Sequence, residues 1–416
     1  MGSVSLRSVL AIALVLRAAA ACVHAAQGPG PSALFDERPF LLVARSLAED
    51  GRFATRPGGP PDVIRGPAYP AFLVPFVVVG GDTVLGPALA QAVLGTATVW
   101  IVAMALQRRL RREGAPEPMA SHAVRLAAWA CALSPIAVLW DRFVMSESLA
   151  TFLLAAAVAL AWEAAQGSRP LAAAIGAGAC GAALVLAKPA FVLLLLVLAV
   201  LLARAGRPVP AGALAATAVV LLLPWTLRNA QVADRASPAG LGSGLFLYAA
   251  TLPRASDGVP VIDDPRDQAA AERYLDYDTP VADRVAADAD FRRRAVERIQ
   301  ARPLAYLASW APRAIRLWVS SHAEALRPLH IPRPIRVVIA LAFGAVALVA
   351  LSALVLPAGP LRRTALALAV VPAYTTLVHM PLAAGSRYAV PAWPFVWCLA
   401  ALAVAARWNA RAPARP

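Results

Sequence analysis

Charged residues are scarce in this sequence: they occupy 15% of its 416 positions, whereas hydrophobic residues occupy 60%. A soluble protein of this length could not bury so much apolar surface, so the composition excludes an ordinary soluble enzyme and predicts a membrane protein. Acidic residues are scarcer than basic ones, with 24 Asp and Glu against 39 Lys and Arg. The arginines stand in short clusters between apolar runs instead of along one polar face, which argues against a nucleic-acid partner.

Cysteine and histidine are rarer still, with four and five residues. The cysteines all lie inside apolar runs without the CxxC spacing of a metal or redox site, and the histidines are dispersed. They are Cys22, Cys131, Cys180 and Cys398, and His24, His122, His322, His330 and His379. The sequence therefore predicts no metal site and no certain cofactor. A divalent cation at the carboxylate pair Asp36 and Glu37 is an alternative without further support.

Long apolar runs are what the sequence has instead. Arg17 within the first run favours an uncleaved first helix over a cleaved signal peptide. With a cytoplasmic N-terminus, the arginine clusters of the connecting loops fall on the cytoplasmic side, as the positive-inside rule requires. We therefore expect an all-α integral membrane protein, a polytopic bundle of about ten transmembrane helices in the cytoplasmic membrane. The expected spans lie near residues 6–26, 84–106, 122–140, 148–166, 171–187, 189–203, 211–227, 335–356, 363–381 and 389–406.

The connecting segments divide the chain into three regions. Residues 1–231 form an N-terminal transmembrane region that contains the first outer loop, 27–83. Residues 232–334 form a mostly helical extracytoplasmic insertion, and residues 335–416 hold the last transmembrane helices and a cytoplasmic tail. We expect both outer segments to rest on the membrane surface.

Three stretches of the outer segments have distinct patterns. Residues 69–80 are apolar but too short and proline-broken to span, so they predict a juxtamembrane helix. Residues 253–290 are rich in Asp and Pro and predict a solvated loop. Residues 291–321 mix Arg with Leu, Tyr and Trp, as amphipathic helices in the headgroup layer do.

Several charged residues stand on the outer side of the expected topology, where positive-inside sorting does not explain cations. The cations are Arg142, Lys188, Arg228 and Arg387, and the carboxylates on the same face are Asp36, Glu37, Asp141 and Glu147. Each one alone is also explained as a snorkelling or paired helix-end residue. Together they predict a site at one membrane level.

The mixture of charges suits the transfer of a sugar from a lipid phosphate. A carboxylate takes the proton of the acceptor during attack on the sugar carbon. Cations stabilise the phosphate that leaves, since its negative charge grows in the transition state. At the headgroup level the lipid tail stays in the bilayer while the acceptor approaches from water.

Seven short segments carry a resemblance to a known group. They are 35–40 (FDERPF), 44–53 (ARSLAEDGRF), 65–70 (RGPAYP), 145–149 (MSESL), 186–189 (LAKP), 224–229 (PWTLRN) and 387–391 (RYAVP). Their order and sidedness resemble the polytopic lipid-carrier-dependent glycosyltransferases of the C superfamily, which include protein mannosyltransferases and aminoarabinose transferases. Phe40 departs from the tyrosine found in many members.

The resemblance implies roles for ten residues. Asp36 is the expected base, with Glu37 beside it, and Glu147 is a second acid that orients donor or acceptor. The residues expected to bind the donor phosphate are Lys188, Arg228, Arg387 and Arg142. The residues expected to shape the pocket are Tyr69, Arg65 and Tyr388, although Tyr69 is equally typical of an interfacial tyrosine.

The implied function is that of an inverting glycosyltransferase that moves a monosaccharide from a polyprenyl-phosphate-linked donor to an envelope acceptor. The acceptor is a protein, a lipid or a glycan, and membrane lipids are the other expected partners. A flippase or transporter of a lipid-linked saccharide is an alternative, but it needs ionisable residues at the bilayer midplane, where Arg17 is the chief example. A glycan ligase or polymerase of similar architecture also stays open.

Overall fold

The computed structural model describes residues 5–27, 37–81, 83–252, 262, 264–320, 322, 326, 331–383 and 385–411. Within these residues every regular element is a helix, apart from one isolated bridge between Ala54 and Pro61. Seven helices are long and apolar enough to cross a membrane, and eight if a pair bent by 41° is counted as one span. The expected fold class is confirmed, and the chain is a multi-pass helical membrane protein.

The helices follow the predicted apolar segments closely. In chain order they are α1 (Leu6–Ala26), α2 (Glu37–Asp50), α3 (Ala68–Gly80), α4 (Leu85–Arg112), α5 (Glu117–Ala132), α6 (Pro135–Asp141), α7 (Glu147–Gln166), α8 (Pro170–Ala187), α9 (Val192–Arg204), α10 (Pro208–Ala233), α11 (Ser243–Ala250), α12 (Pro265–Leu275), α13 (Val281–Ala301), α14 (Pro303–Ala308), α15 (Trp310–Trp318), α16 (Arg333–Leu351), α17 (Pro360–His379) and α18 (Trp393–Arg411). Short 3-10 turns cover Pro189–Phe191, Ser352–Val355 and Ser386–Ala392.

All ten expected spans are helical, but they differ in how well they suit a bilayer. The bent pair is α5 with α6. The shorter apolar helix Pro189–Arg204 combines a 3-10 turn with α9. Helix α17 has 20 residues but begins near Arg362 and Arg363, and it is not among the seven. All ten expected spans are therefore helical, but among the described residues only seven or eight helices have the length and apolarity of a full span.

Small residues let the central helices approach closely. At Gly178 of α8, an added Cβ would lie 2.5 Å from the carbonyl oxygen of Leu214 in α10. Since lipid provides no hydrophobic drive for helix association, close backbone contact of this kind supplies the packing energy in a membrane bundle. Alanines of α7 and α8, such as Ala157 and Ala177, are buried in the same core.

Arg17 holds the break between α5 and α6. Its side chain is 1% exposed and donates from Nε to Asp141 Oδ2 at 2.8 Å. Its two terminal nitrogens donate to the carbonyl oxygens of Ala132 and Cys131 at 2.9 and 3.0 Å. These carbonyls end α5 and lose their helical partners there. Arg17 thus faces the protein interior, as expected for a charge within a span.

The insertion contains helices where the sequence predicted a solvated loop, and that prediction is wrong for its described residues. Helix α12 and the first half of α13 lie within 253–290, and Ala271 and Tyr274 are buried in a small separate core. The Asp and Pro residues that indicated a loop instead begin helices: the Asp264 side chain accepts from the backbone N–H of Arg266, and Pro265 is the first helical residue.

The short helices of both outer segments are present as predicted. Helix α3 covers the juxtamembrane stretch with 13 residues. The second half of α13, with α14 and α15, covers the amphipathic stretch, and Leu304, Leu307 and Ile315 are exposed by 79%, 50% and 59%. Exposed apolar side chains beside buried Arg313 are typical of helices that lie in a membrane surface.

Candidate functional site

Six segments that are separated in the sequence line one cavity of about 410 Å³. They are the first turn of α2, the loop before α3, the start of α7, the turn after α8, the segment that leads into and begins α11, and the end of α17 with the turn after it. Five of the predicted residues lie on its surface, namely Arg65, Glu147, Lys188, Arg387 and Tyr388. We call it the charged cavity.

A buried ion pair forms the wall of the charged cavity. Glu147 opens α7, is 1% exposed, and accepts a hydrogen bond from Lys188 Nζ at 2.7 Å through Oε1. Its other oxygen, Oε2, is buried without a hydrogen-bond partner among the described residues. An unsatisfied charged oxygen costs about 1–3 kcal/mol or more, so a protein that keeps one commonly uses it for binding or chemistry.

Lys188 owes its direction to the end of α8. Pro189 cannot continue the helix, and it restricts the residue before it to an extended backbone. Lys188 accordingly has φ −140° and ψ 95°. Its Nζ lies 5.5 Å from the ring centre of Tyr388, and the guanidinium carbon of Arg387 lies 5.2 Å from the same ring. The Tyr388 ring thus lies close to two cations that are about 200 residues apart in the sequence.

A glycine brings the first loop to this wall. At Gly66 an added Cβ would overlap with the carbonyl oxygen of Leu186, two residues before Lys188. Neighbouring Arg65 is held by Asp62 Oδ2, to which its Nη1 donates at 2.6 Å. The backbone contact therefore fixes a third cation beside Lys188. Among the described lining residues, Glu147 is the acidic one, so the charged cavity carries a positive excess that favours an anionic ligand.

Glu37 and Arg142 lie behind the wall and do not line the charged cavity. Glu37 Oε1 accepts from the backbone N–H of Val144 at 2.7 Å and lies 3.3 Å from His24 Nε2. The guanidinium of Arg142 lies 4.6 Å from the ring centre of Phe143. Burial lowers the pKa of Arg142, and the charge of Glu37 partly offsets that shift. Both residues therefore fix the segment that leads into Glu147.

Tyr69 is also placed behind the wall. It is fully buried and donates from its hydroxyl to Gln91 Oε1 at 2.6 Å. Gln91 in turn donates to the carbonyl oxygens of Asp141 and Phe143 at 3.0 and 2.6 Å. Tyr69 thus supports the same segment as Glu37, while Phe40, whose ring packs edge-on against it, reaches the cavity.

Arg228 is not brought to the charged cavity. Its guanidinium carbon lies 4.6 Å from the ring centre of Trp225 and 5.4 Å from that of Phe53. Its Nη1 also donates to Asn229 at 3.1 Å. Asp36 lies outside the described residues. It directly precedes Glu37, and Phe40 on the first turn of α2 lines the cavity.

The chain is similar to two solved structures. They are crystal structures of ArnT from Cupriavidus metallidurans, in the apo state and bound to undecaprenyl phosphate, and each is 14% identical in sequence. The first match covers 94% of this chain and 76% of that one with a TM-score of 0.43, and the second covers 96% and 77% with a TM-score of 0.44. No family model and no curated protein matches the chain.

Sequence reasoning missed the segment that leads into α11. Gly240, Leu241 and Ser243 line the charged cavity together with Phe246. The segment packs on the first loop, since Leu241 donates from its backbone to the carbonyl oxygen of Val63 at 2.6 Å. The signal was its glycine-rich composition, AGLGSG at 239–244, because glycines mark close backbone approach.

A buried carboxylate fixes the start of α11. Asp288 is fully buried and accepts from the backbone N–H groups of Gly242 and Gly244 at 3.1 and 2.9 Å. A negative side chain at a helix N-terminus is favourable because the first N–H groups have no helical partner. The insertion therefore contributes to the charged cavity through a fixed helix.

His379 also lines the charged cavity, although sequence reasoning assigned it no role at this site. Its ring lies 5.3 Å from that of Tyr388, and Nδ1 lies 2.8 Å from the carbonyl oxygen of Thr375. The described residues hold no group of three or more His, Cys, Asp or Glu side chains that could bind a metal ion.

Proposed function

We propose that the chain is an inverting glycosyltransferase that moves a monosaccharide from a polyprenyl-phosphate-linked donor to an envelope protein, lipid or glycan. The observation that carries the proposal is the charged cavity, in which the Glu147 carboxylate pairs with Lys188 and shares its surface with Arg387 and Arg65. Several cations around one carboxylate suit an anionic phosphate ester and a reaction that moves a proton.

The cations act on the leaving group. When the bond between the sugar C1 and the phosphate oxygen breaks, its electron pair stays on that oxygen, and polyprenyl phosphate leaves with additional negative charge. Lys188 and Arg387 donate hydrogen bonds to this phosphate. They stabilise the transition state more than the ground state because the charge on the phosphate is larger there.

A carboxylate takes the acceptor proton while the acceptor oxygen attacks C1 opposite to the phosphate, which inverts the anomeric configuration. Asp36 keeps the role of base in this proposal because it directly precedes Glu37 in the sequence, and the first turn of α2 reaches the cavity through Phe40. Glu147 orients Lys188, and its second oxygen is left for a hydroxyl of donor or acceptor.

The reaction is proposed to occur on the extracytoplasmic side of the cytoplasmic membrane. Helix α7 has 20 residues, so its ends are about 30 Å apart, which is the thickness of the apolar part of a bilayer. Glu147 is its first residue, and Glu163 near its other end pairs with Arg112 of an arginine cluster. The positive-inside rule assigns that cluster to the cytoplasm, and Glu147 to the opposite face.

The test uses the full chain in liposomes with polyprenyl phosphates that carry labelled hexoses or pentoses. We expect Arg387→Gln to weaken donor binding roughly tenfold to a hundredfold, as the loss of a charged hydrogen bond does. Arg228→Gln is the matched control, since it removes an arginine that lies outside the charged cavity. Donor binding and release of polyprenyl phosphate are measured separately.

Three outcomes are distinguishable. Loss of donor binding in Arg387→Gln but not in Arg228→Gln supports the proposal. An equal loss in both variants, or in neither, contradicts the assignment of the charged cavity to the donor phosphate. Movement of the intact donor across the liposome membrane without cleavage favours the flippase alternative.

A further inference from the structure

The insertion encloses a second and larger cavity. It measures about 720 Å³ and lies between the end of α11, the last turn of α13, and helices α14 and α15. Four arginines line it, namely Arg298, Arg302, Arg313 and Arg316. Within the described part of the chain, none of its lining residues is acidic. We call it the arginine cavity.

One of these arginines, Arg313, is held in place by contacts with the rest of the protein. Arg313 is 5% exposed, and its Nη1 donates to the carbonyl oxygens of Met380 and Pro381 at 3.2 and 3.3 Å. Its guanidinium carbon lies 5.4 Å from the ring centre of Tyr306. The Tyr306 hydroxyl donates to the same Pro381 carbonyl oxygen at 2.6 Å. The floor of the cavity is therefore a fixed cation.

No carboxylate among the described lining residues balances these four positive charges. None of the four arginines forms an ion pair with another described residue, and the Nε atoms of Arg313 and Arg316 are buried without a hydrogen-bond partner there. Burial lowers the pKa of Arg313, and the neighbouring charge of Arg316 lowers it further. Gathering like charges around a cavity is unfavourable unless an anion occupies it.

Phosphate is the anion that fits this chemistry. A guanidinium presents its N–H groups as a planar fork that matches two oxygens of a phosphate, and several forks around one cavity give geometric as well as electrostatic selection. The apolar residues nearby indicate where the phosphate comes from. Leu304 and Leu307 of α14 and Ile315 of α15 are exposed, so the same two helices offer a surface for acyl chains.

We propose that the arginine cavity binds a phosphate group, carried by the headgroup of an anionic membrane lipid. The lipid holds α14 and α15 on the membrane and supplies the counter-charge that the described lining residues do not provide. The proposal does not depend on the activity assigned to the charged cavity, because different side chains line the two.

Native mass spectrometry of the full chain tests the proposal. The protein is stripped of lipid in a neutral detergent and titrated with phosphatidylglycerol, with phosphatidylcholine, and with soluble glycerol phosphate. The variant is Arg302→Gln with Arg316→Gln, because both side chains are at least partly exposed and neither donates a side-chain hydrogen bond to another described residue. We expect it to bind phosphatidylglycerol at least tenfold more weakly than the unaltered chain, since charged hydrogen bonds are lost.

The matched control is Arg266→Gln with Arg293→Gln. It removes the same charge from the insertion, and both positions are exposed and lie outside the arginine cavity. Variant-sensitive binding of phosphatidylglycerol but not of glycerol phosphate supports a lipid headgroup. Variant-sensitive binding of glycerol phosphate as well supports the phosphate site but makes a soluble phosphate its source. Equal affinity in all three proteins, or an equal loss in the control, overturns the proposal.

Discussion

At the scale of single residues, Glu147 and Lys188 are the pair that matters most. Removing one partner of a buried ion pair leaves the other charge uncompensated, which costs about 3–5 kcal/mol, whereas removing both is often nearly neutral. We expect Lys188→Met to lower the melting temperature of the purified protein clearly. We expect Glu147→Gln with Lys188→Met to restore most of it. Thermal unfolding of the two single variants and the double variant gives the coupling.

The outcome depends on the sign of that coupling. If the double variant melts no higher than Lys188→Met, the two side chains do not compensate each other. Sugar transfer should be lost in all three variants, so recovery of stability without recovery of activity separates the structural role from the chemical one.

His322 predicts a pH dependence. It is 1% exposed, accepts a hydrogen bond from Trp140 Nε1 at 3.3 Å, and has its pKa lowered by burial to about 3 from 6.5. The unfolded chain binds a proton below pH 6.5 that the folded chain does not bind until about pH 3. The stability that neutral His322 provides is therefore present above pH 6.5 and is lost as the pH falls, by about 1.4 kcal/mol per pH unit.

Melting curves between pH 7 and pH 4 measure this effect. All other titrating groups are the same in the unaltered protein and in His322→Gln. The difference between their melting temperatures therefore isolates the contribution of the histidine. We expect that difference to shift in favour of the variant as the pH falls. A difference that does not change with pH would mean that His322 is protonated equally in both states.

Sequence reasoning at the residue scale predicted one membrane level for these charges, but it could not predict the direction of each side chain. Lys188 and Arg387 stand at helix ends that the expected topology places outside, and both reach the charged cavity. Arg228 and Tyr69 stand at similar ends, yet Arg228 packs between aromatic rings and Tyr69 bonds to Gln91. The rotation of a helix about its axis depends on its neighbours, and a single sequence does not contain that information.

At the scale of elements, the contact between the first loop and α8 is the critical one. We expect Gly66→Ala to separate them, because its Cβ would overlap with the backbone oxygen of Leu186, which cannot move without α8. Arg65 would then shift away from Lys188, and sugar transfer should fall more than protein yield does. Transfer activity per folded molecule is the measurement.

Gly212→Ala is the control for that experiment. Gly212 lies in α10 with nothing within 4 Å of its added Cβ, so alanine there should be neutral or stabilising by up to about 1 kcal/mol. Equal activity in both variants would show that the contact at Gly66 does not position the charged cavity.

The elements themselves were largely predictable, because a span of apolar residues leaves few alternatives to a helix in lipid. The insertion was harder. Its helices α12 and α13 bury few residues, such as Ala271, Tyr274 and Phe291, among many charges. The composition of this segment therefore resembled that of a loop. The two helices could have been predicted only from the helical spacing of those few apolar residues and from the prolines at the helix starts, Pro265 and Pro280.

At the scale of the whole molecule, the proposed orientation of the chain in the membrane can be tested. In a chain with its four native cysteines replaced, we expect Arg266→Cys to react with an impermeant maleimide on intact spheroplasts. Arg111→Cys should react only after the membrane is opened. Both side chains are exposed, so accessibility reports the side of the membrane and not burial. The reverse pattern would move the charged cavity to the cytoplasmic face.

Helix α11 borders both the charged cavity and the arginine cavity. Ser243 and Phe246 near its start border the charged cavity, while Ala250 at its end borders the arginine cavity. This eight-residue helix therefore contributes side chains to both cavities. If a ligand in one cavity alters the affinity of the other cavity for its own ligand, thermodynamics requires the effect to be equal in both directions. A lipid that tightens donor binding must itself be bound more tightly by the donor-loaded protein.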